Sequence, residues 1–136
     1  MATLKLEIVT PEAKTYSDDV DSVVIPGIEG EMQVLPQHIP LMTKLAPGEL
    51  RVMKSGQEVR LAVGEGFVEV TQESVSVLTD MAINENEIDE SAAEAAMKRA
   101  EEALKNEHVS AEQHAALQAA LQKSMAQLKV KRRRVV

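Results

Sequence analysis

"VSVLTDMAINENEIDESAAEAAMKRAEEAL", residues 75–104, changes its period in the middle. Before Asn84, Val75 and Val77 alternate with other residues, the period of two that a half-buried strand needs. After "NENE" there is neither Gly nor Pro, and Ala, Glu, Lys and Leu dominate, the strongest helix formers. Ala93, Met97, Ala100 and Leu104 then fall on one helical face. The expected organisation is therefore a β part, residues 1–86, followed by an α part, residues 87–136, with the acidic "NENEIDE" as the only candidate hinge.

Working towards the N-terminus, Leu4, Leu6 and Ile8 keep the period of two, as do Val59, Leu61 and Val63, and Val68 and Val70. The interruptions are turn chemistry: Pro26-Gly27, Pro47-Gly48, Ser55-Gly56 and the polar Gln72-Glu73-Ser74. Roughly ten short strands, each burying one face, predict a β-sandwich. "GEGF", residues 64–67, runs into the strand-like "VEV" and so reads as a tight turn or bulge, not a phosphate loop.

Working towards the C-terminus, Asp89 is placed to cap a first helix, and Ser110 with Gln113 matches the capping box of a second. Leu117, Leu121, Met125 and Leu128 form the second helix's apolar stripe. Two stripes joined by a short link describe an antiparallel hairpin. Its facing residues are mostly Ala, so little apolar area is buried per residue, and the hairpin is expected to be held weakly. A second helix reaching Arg134 would be about 36 Å long.

Composition narrows the function. The 136 residues include no Cys and no Trp, with one Phe and one Tyr. Disulfides, thiolate metal sites and cysteine nucleophiles are excluded, and base stacking on aromatic side chains has little to work with. No signal peptide or spanning segment is expected from the apolar runs. Residues 1–122 carry 22 acids against 9 bases, whereas residues 123–136 carry 6 bases and no acid. The basic end, "KVKRRRVV", sits on an acidic protein, so nucleic-acid binding through "KRRR" is not expected.

No catalytic constellation emerges. His38, His108 and His114 are the only imidazoles, and the latter two are six apart, off the spacing that puts two ligands on one helix face. No nucleophile elbow or phosphate loop occurs. His38 lies in "GEMQVLPQHIPLM", residues 30–42, where Pro36 and Pro40 stiffen the loop around it. An enzyme active site and a bound metal are not expected.

"VVIPGIEGEMQVLPQHIPLMTKLAPGELRV" resembles the epsilon subunits of F-type ATP synthases, whose pattern here is roughly GExG-[IV]-x-P-x-H-x-P-L followed by a PG turn and a strand. "AVGEGFVEV", "VSVLTDMA", "IDESAAEAAMKRAEEAL" and "SMAQLKV" are similar to later parts of the same family, so the likeness runs nearly end to end. Gln33 and Glu65 stand where the family often has Gly, which puts the local backbone in question.

The resemblance implies a non-catalytic rotor subunit with no required cofactor, linking the gamma subunit to the c-ring at the cytoplasmic face of a bacterial membrane. It implies that Glu29, Glu31, His38 and Met42 face those partners. It further implies a hairpin that moves from a compact state to an extended one, restraining ATP hydrolysis by the alpha and beta subunits. Lys129, Lys131, Arg132, Arg133 and Arg134 would then meet an acidic segment of beta. Some relatives also bind ATP through [IL]-D-x-x-R-A. Here Ile88, Asp89 and Ala93 are kept, with Arg99 further on, but Ala92 replaces the motif's Arg, which implies a weakened ATP site. A nucleotide-sensing module is the alternative reading.

Overall fold

The computed structural model describes residues 2–12, 14–106 and 108–132. Among them are ten strands: β1 (Leu4–Val9), β2 (Lys14–Val20), β3 (Ser22–Gly27), β4 (Gly30–Val34), β5 (Leu41–Leu45), β6 (Gly48–Lys54), β7 (Gln57–Val63), β8 (Gly66–Val70), β9 (Ser74–Thr79) and β10 (Ala82–Asn84). A single 3-10 turn, Glu85–Glu87, leads into α1 (Glu90–Leu104) and α2 (Ala111–Arg132). The strands run in the order β10-β7-β6-β3-β5-β8-β9-β1-β2, with β4 paired to β3. β3 meets β5 at one register pair, Gly27 opposite Leu45, and there the sheet folds over into two layers.

The alternating valines and leucines fill the space between the layers. Val23, Ile25, Val34, Leu50, Val52, Leu61 and Val63 meet Leu4, Leu6, Ile8, Leu45, Val68, Val70, Val75 and Val77 in one buried cluster. Each such side chain contributes about 1.5–3 kcal/mol by leaving water. The buried side chains of this core are all aliphatic, and Tyr16 packs against it partly buried. Ser55 and Gly56, with φ of 52° and 79°, make the two-residue turn that joins β6 to β7.

The glycines of "GEGF" answer a different need from the expected one. Neither Gly64 nor Gly66 has a positive φ. A Cβ on Gly66 would lie 1.8 Å from the Leu78 carbonyl oxygen, and one on Gly64 would lie 2.0 Å from Asp80 Oδ1. Close approach of the β9 backbone demands Gly66, and Gly64 leaves room for the Asp80 side chain, as β7 crosses from one layer to β8 in the other. Gln33 and Glu65 cause no strain, because both side chains are exposed and neither backbone is left-handed.

The helices begin where their caps lie. Asp89 accepts the Ala92 N–H at 3.1 Å. Ser110 and Gln113 complete a reciprocal capping box, at 3.1 and 3.0 Å. Arg132, at the end of α2, reaches Glu90 and Glu94 at the start of α1, so the helices are antiparallel. The stripe expected on α2 needs correction, since Met125 is 48% exposed. Ser124, Ala126, Leu128 and Val130 are the buried positions. The reason is that α2 is a middle layer, packed on α1 along one side and on β6 and β7 along the other. Burial on two faces blurs a single stripe.

Candidate functional site: two outer faces and a basic helix end

The outer faces of the two layers differ. Over β6 and β7, Ala126 and Val130 of α2 join Ala62, Met81 and Ile88 in a second, smaller buried cluster. Lys123 on α2 pairs with Asp80 at 3.1 Å. Lys131 Nζ donates to the Glu85 carbonyl oxygen at 3.4 Å. The hinge itself is tied down, since Arg60 on β7 grips the Glu85 carboxylate through Nε at 3.0 Å and Nη2 at 2.8 Å. A bidentate pair of this sort fixes geometry as well as charge.

Among the described residues, no helix covers the other layer's outer face. Phe67 on β8 stands between Lys44 on β5 and Leu78 on β9 in the register, and Leu78 stands opposite Val9 on β1. Phe67 and Leu78 are each 53% exposed, Ile28 is 61% exposed and Met42 is 69% exposed. A shallow cavity of about 410 Å3 opens beside this strip, lined by Ile28, Lys44, Leu45, Pro47, Gly66 and Phe67 among others. Apolar side chains gathered on one sheet face, with charged neighbours, have the character of a protein-binding surface.

The residues expected to face partners are spread over both ends of the β5–β8 pair. Glu29 is exposed in the turn between β3 and β4, Glu31 is exposed on β4, and Met42 is an outward position of β5 rather than a core one. His38 sits half-buried in the β4–β5 loop. Gln37 before it is held left-handed, with φ of 68°, and its N–H donates to the Gln72 carbonyl at 2.8 Å. His38 Nδ1 lies 2.7 Å from the Ile39 carbonyl oxygen, a contact that requires the proton on Nδ1. Ile39 is 79% exposed and Leu35 is 53% exposed, so the loop adds apolar area of its own.

At the hairpin, Lys129 is exposed, whereas Lys131 and Arg132 are engaged. Arg132 donates from Nε to Glu90 at 2.6 Å and from Nη2 to Glu94 at 2.8 Å. The Glu90 hydrogen bond holds the Arg132 guanidinium above its ordinary range. Glu94 is held below the usual carboxylate range, first by a hydrogen bond from Lys98 and then by the Lys98 and Arg132 charges. Arg133 and Arg134 lie outside the described residues.

The four nucleotide candidates are not gathered into one pocket. Ile88 and Ala93 are buried, and Asp89 uses its Oδ1 for the cap. Arg99 is exposed on α1, about 15 Å along the axis from Asp89 at 1.5 Å per residue. Ala92 supplies no cation at the position where the motif has Arg. Among the described residues no group of His, Asp or Glu could hold a metal ion, and no helix is long and apolar enough to cross a membrane.

Sequence reasoning did not find Asp80–Lys123, Arg60–Glu85 or the Phe67–Leu78 strip. Only the strip left a signal: Phe67 and Leu78 are out of phase with Val68 and Val77, and so must point outward.

A two-layered β-sandwich bearing a helical hairpin on one face and an apolar docking strip on the other defines an assembly subunit. Comparison with known proteins gives it a family. Residues 3–85 match the beta-sandwich domain of the ATP synthase delta/epsilon chain, and residues 86–132 match its long alpha-helix domain. The chain belongs to the ATP synthase delta/epsilon chain family, as an epsilon-type, non-catalytic subunit.

It is 46% identical over 134 residues to the ATP synthase epsilon chain of Dehalococcoides mccartyi, covering 98% of this chain and 96% of that one. It is 44% identical over 131 residues to that of Laribacter hongkongensis, covering 95% and 93%. Among solved structures it is similar to a chain in the cryo-EM structure of the Euglena gracilis mitochondrial ATP synthase, OSCP/F1/c-ring. The TM-score is 0.76 at 25% identity, covering 93% of this chain and 79% of that one.

Proposed function

We propose that the chain is a rotor subunit of a proton-translocating ATP synthase, peripheral at the cytoplasmic face of a bacterial membrane. Its bare apolar strip and the His38 loop seat it against gamma and the c-ring. Its hairpin leaves the sandwich to restrain ATP hydrolysis by alpha and beta. The observation that carries this reading is the division of the outer faces. One layer presents Phe67, Leu78, Ile28 and Met42 to a partner, and the other is covered by a hairpin held through a small second cluster and a few ion pairs. That cluster is separate from the sandwich core, so α2 can leave without unfolding the strands. A switch needs two states within a few kcal/mol of each other, and a seat of this size provides that.

The compact arrangement also keeps Lys131 and Arg132 on their own chain's oxygen atoms. Moving to an acidic segment of beta would exchange the carboxylates on Arg132 for others and the carbonyl oxygen on Lys131 for a carboxylate, which costs little net electrostatic energy. One truncation, read in two ways, tests the reading. Removing residues 88–136 is expected to leave assembly intact and to raise ATP hydrolysis by the complex. Unchanged hydrolysis would remove the restraining role, and loss of gamma binding on that truncation would contradict the division of labour between sandwich and hairpin.

A further inference from the structure

A buried thioether sits in the seat of α2. Met81 lies between β9 and β10 and is 9% exposed, and among the described methionines no other is buried. Its backbone is fixed to the sandwich, since the Met81 carbonyl accepts the Gly64 N–H at 3.0 Å and the Thr79 hydroxyl at 3.1 Å. Its side chain belongs to the cluster that Ala126 and Val130 of α2 complete. Gln127 of the same helix donates from Nε2 to the Met81 sulfur at 3.4 Å. Lifting α2 therefore strips Gln127, Ala126 and Val130 from Met81 together, while Met81 stays behind on the strands. The other methionines are placed differently. Met42 is 69% exposed and Met125 is 48% exposed, and Met32 packs against the inter-layer core. With no Cys in the chain, its thioethers are the side chains most open to attack by a peroxide.

We propose that Met81 is an oxidation site gated by the hairpin: a peroxide reaches its sulfur once α2 lifts, and the sulfoxide then keeps α2 from reseating. Both steps rest on the hairpin being the movable element described above. A sulfur lone pair attacks one peroxide oxygen, and the O–O bond breaks as the S–O bond forms. The sulfur gives up two electrons, and the departing oxygen leaves as hydroxide and takes a proton to become water. The product is the same side chain carrying one polar oxygen. With α2 released, water solvates that oxygen. With α2 seated, it has no good place. On the Gln127 side it must fit into the 3.4 Å that the amide and the sulfur already close. On the other side it meets the aliphatic carbons of Ala62, Ile88, Ala126 and Val130 and finds no donor. Oxidation thus disfavours one state and spares the other, which is the condition for shifting an equilibrium. Under the proposed function, a peroxide would hold the hairpin in its restraining state.

The test treats the full chain with hydrogen peroxide and follows each methionine by peptide mass spectrometry. Met42 and Met125 are expected to react first, and Met81 at least about tenfold more slowly. Val130→Ala should speed oxidation of Met81 roughly thirtyfold. Lys123→Gln, which removes the ion pair to Asp80 without opening a void in the cluster, should speed it about threefold. Once Met81 is oxidised, the backbone amides of Ala126–Val130 should exchange about tenfold faster or more, with those of Val75 and Val77 unchanged. A Met81→Leu chain given the same peroxide should keep its exchange rates, and a methionine sulfoxide reductase should restore those of the oxidised chain. Three results overturn the proposal while the movable hairpin stands: Met81 reacting as fast as Met42 or indifferent to both seat variants, a Met81 sulfoxide that leaves Ala126–Val130 exchange unchanged, or the same acceleration in Met81→Leu. If the Ala126–Val130 amides exchange no faster than those of Val75 and Val77 in every variant, the hairpin does not lift separately, and both readings fall.

Discussion

Val130→Ala separates the hairpin seat from the sandwich core. Val130 is fully buried in the small cluster with Ala62, Met81, Ile88 and Ala126, and has no place in the inter-layer core. The substitution removes two methyl groups, at about 0.8 kcal/mol each, and leaves a partly relaxed void, for a total of about 2 kcal/mol. If α2 lifts as a unit, that cost falls on the seated state alone. The ratio of seated to released helix then drops roughly thirtyfold, at about 1.4 kcal/mol per factor of ten. Native-state hydrogen exchange reads it, because an Ala-rich helix freed from its seat frays readily. Backbone amides of Ala126–Val130 should exchange roughly thirtyfold faster, with those of Val68, Val75 and Val77 unchanged. Equal acceleration in the strands would show one cooperative unit and refute the argument. No acceleration anywhere would show that Val130 holds nothing.

Other expectations follow from particular contacts. Gly66→Ala drives a Cβ into the Leu78 carbonyl, so β8 and β9 must part, and the melting temperature should fall by several degrees or more. Gly64→Ala drives a Cβ into the carboxylate end of Asp80, which a side-chain shift can relieve, so it should cost less melting temperature than Gly66→Ala while loosening α2 at Lys123. Glu94 has a lowered folded-state pKa, so the Lys98 and Arg132 contacts contribute stability above its unfolded pKa, near 4.3, that is lost as pH falls through the folded value. Amides at the start of α1 should therefore exchange faster, after correction for intrinsic rate, below about pH 4 than at pH 7. Adding Glu94→Gln should reduce that difference. MgATP titrated into the isolated chain should give no detectable heat below millimolar concentration, because Ala92 offers no phosphate cation; submillimolar binding would promote the nucleotide-sensing reading.

Much of this architecture can be read from period and cap chemistry. The valines of β8 and β9 show which face is inward, Asp89 and Ser110 mark where helices start, and the change after "NENE" marks where one regime ends. These are local signals, spaced two, three or four residues apart. What could not be read depends on residues brought together from a distance. Glu31 and Arg51 are twenty positions apart, Arg60 and Glu85 twenty-five, and no spacing rule links one strand's outer face to another's. The seat of α2 was hidden for a related reason. Ala126 and Val130 face the sheet while Leu128, beside Met97 in a shallow groove, faces α1, so no single stripe stands out. The departures at Gln33 and Glu65 drew attention because Gly is common there in the family. Both are exposed positions without a left-handed backbone, while the left-handed residue near Gln33 is Gln37, in the β4–β5 loop.

Under the proposed function, a hairpin free to leave the sandwich restrains hydrolysis. Asp80 and Lys123 join the two parts, at 3.1 Å between their charged ends. Changing both to Cys and joining them with a short bifunctional thiol reagent ties α2 to its seat, after which the chain is assembled into the complex. ATP hydrolysis by the tied complex is predicted to match that of the complex lacking residues 88–136, and cleaving the link is predicted to restore the restraint. A tied complex as restrained as the untied one would contradict the account.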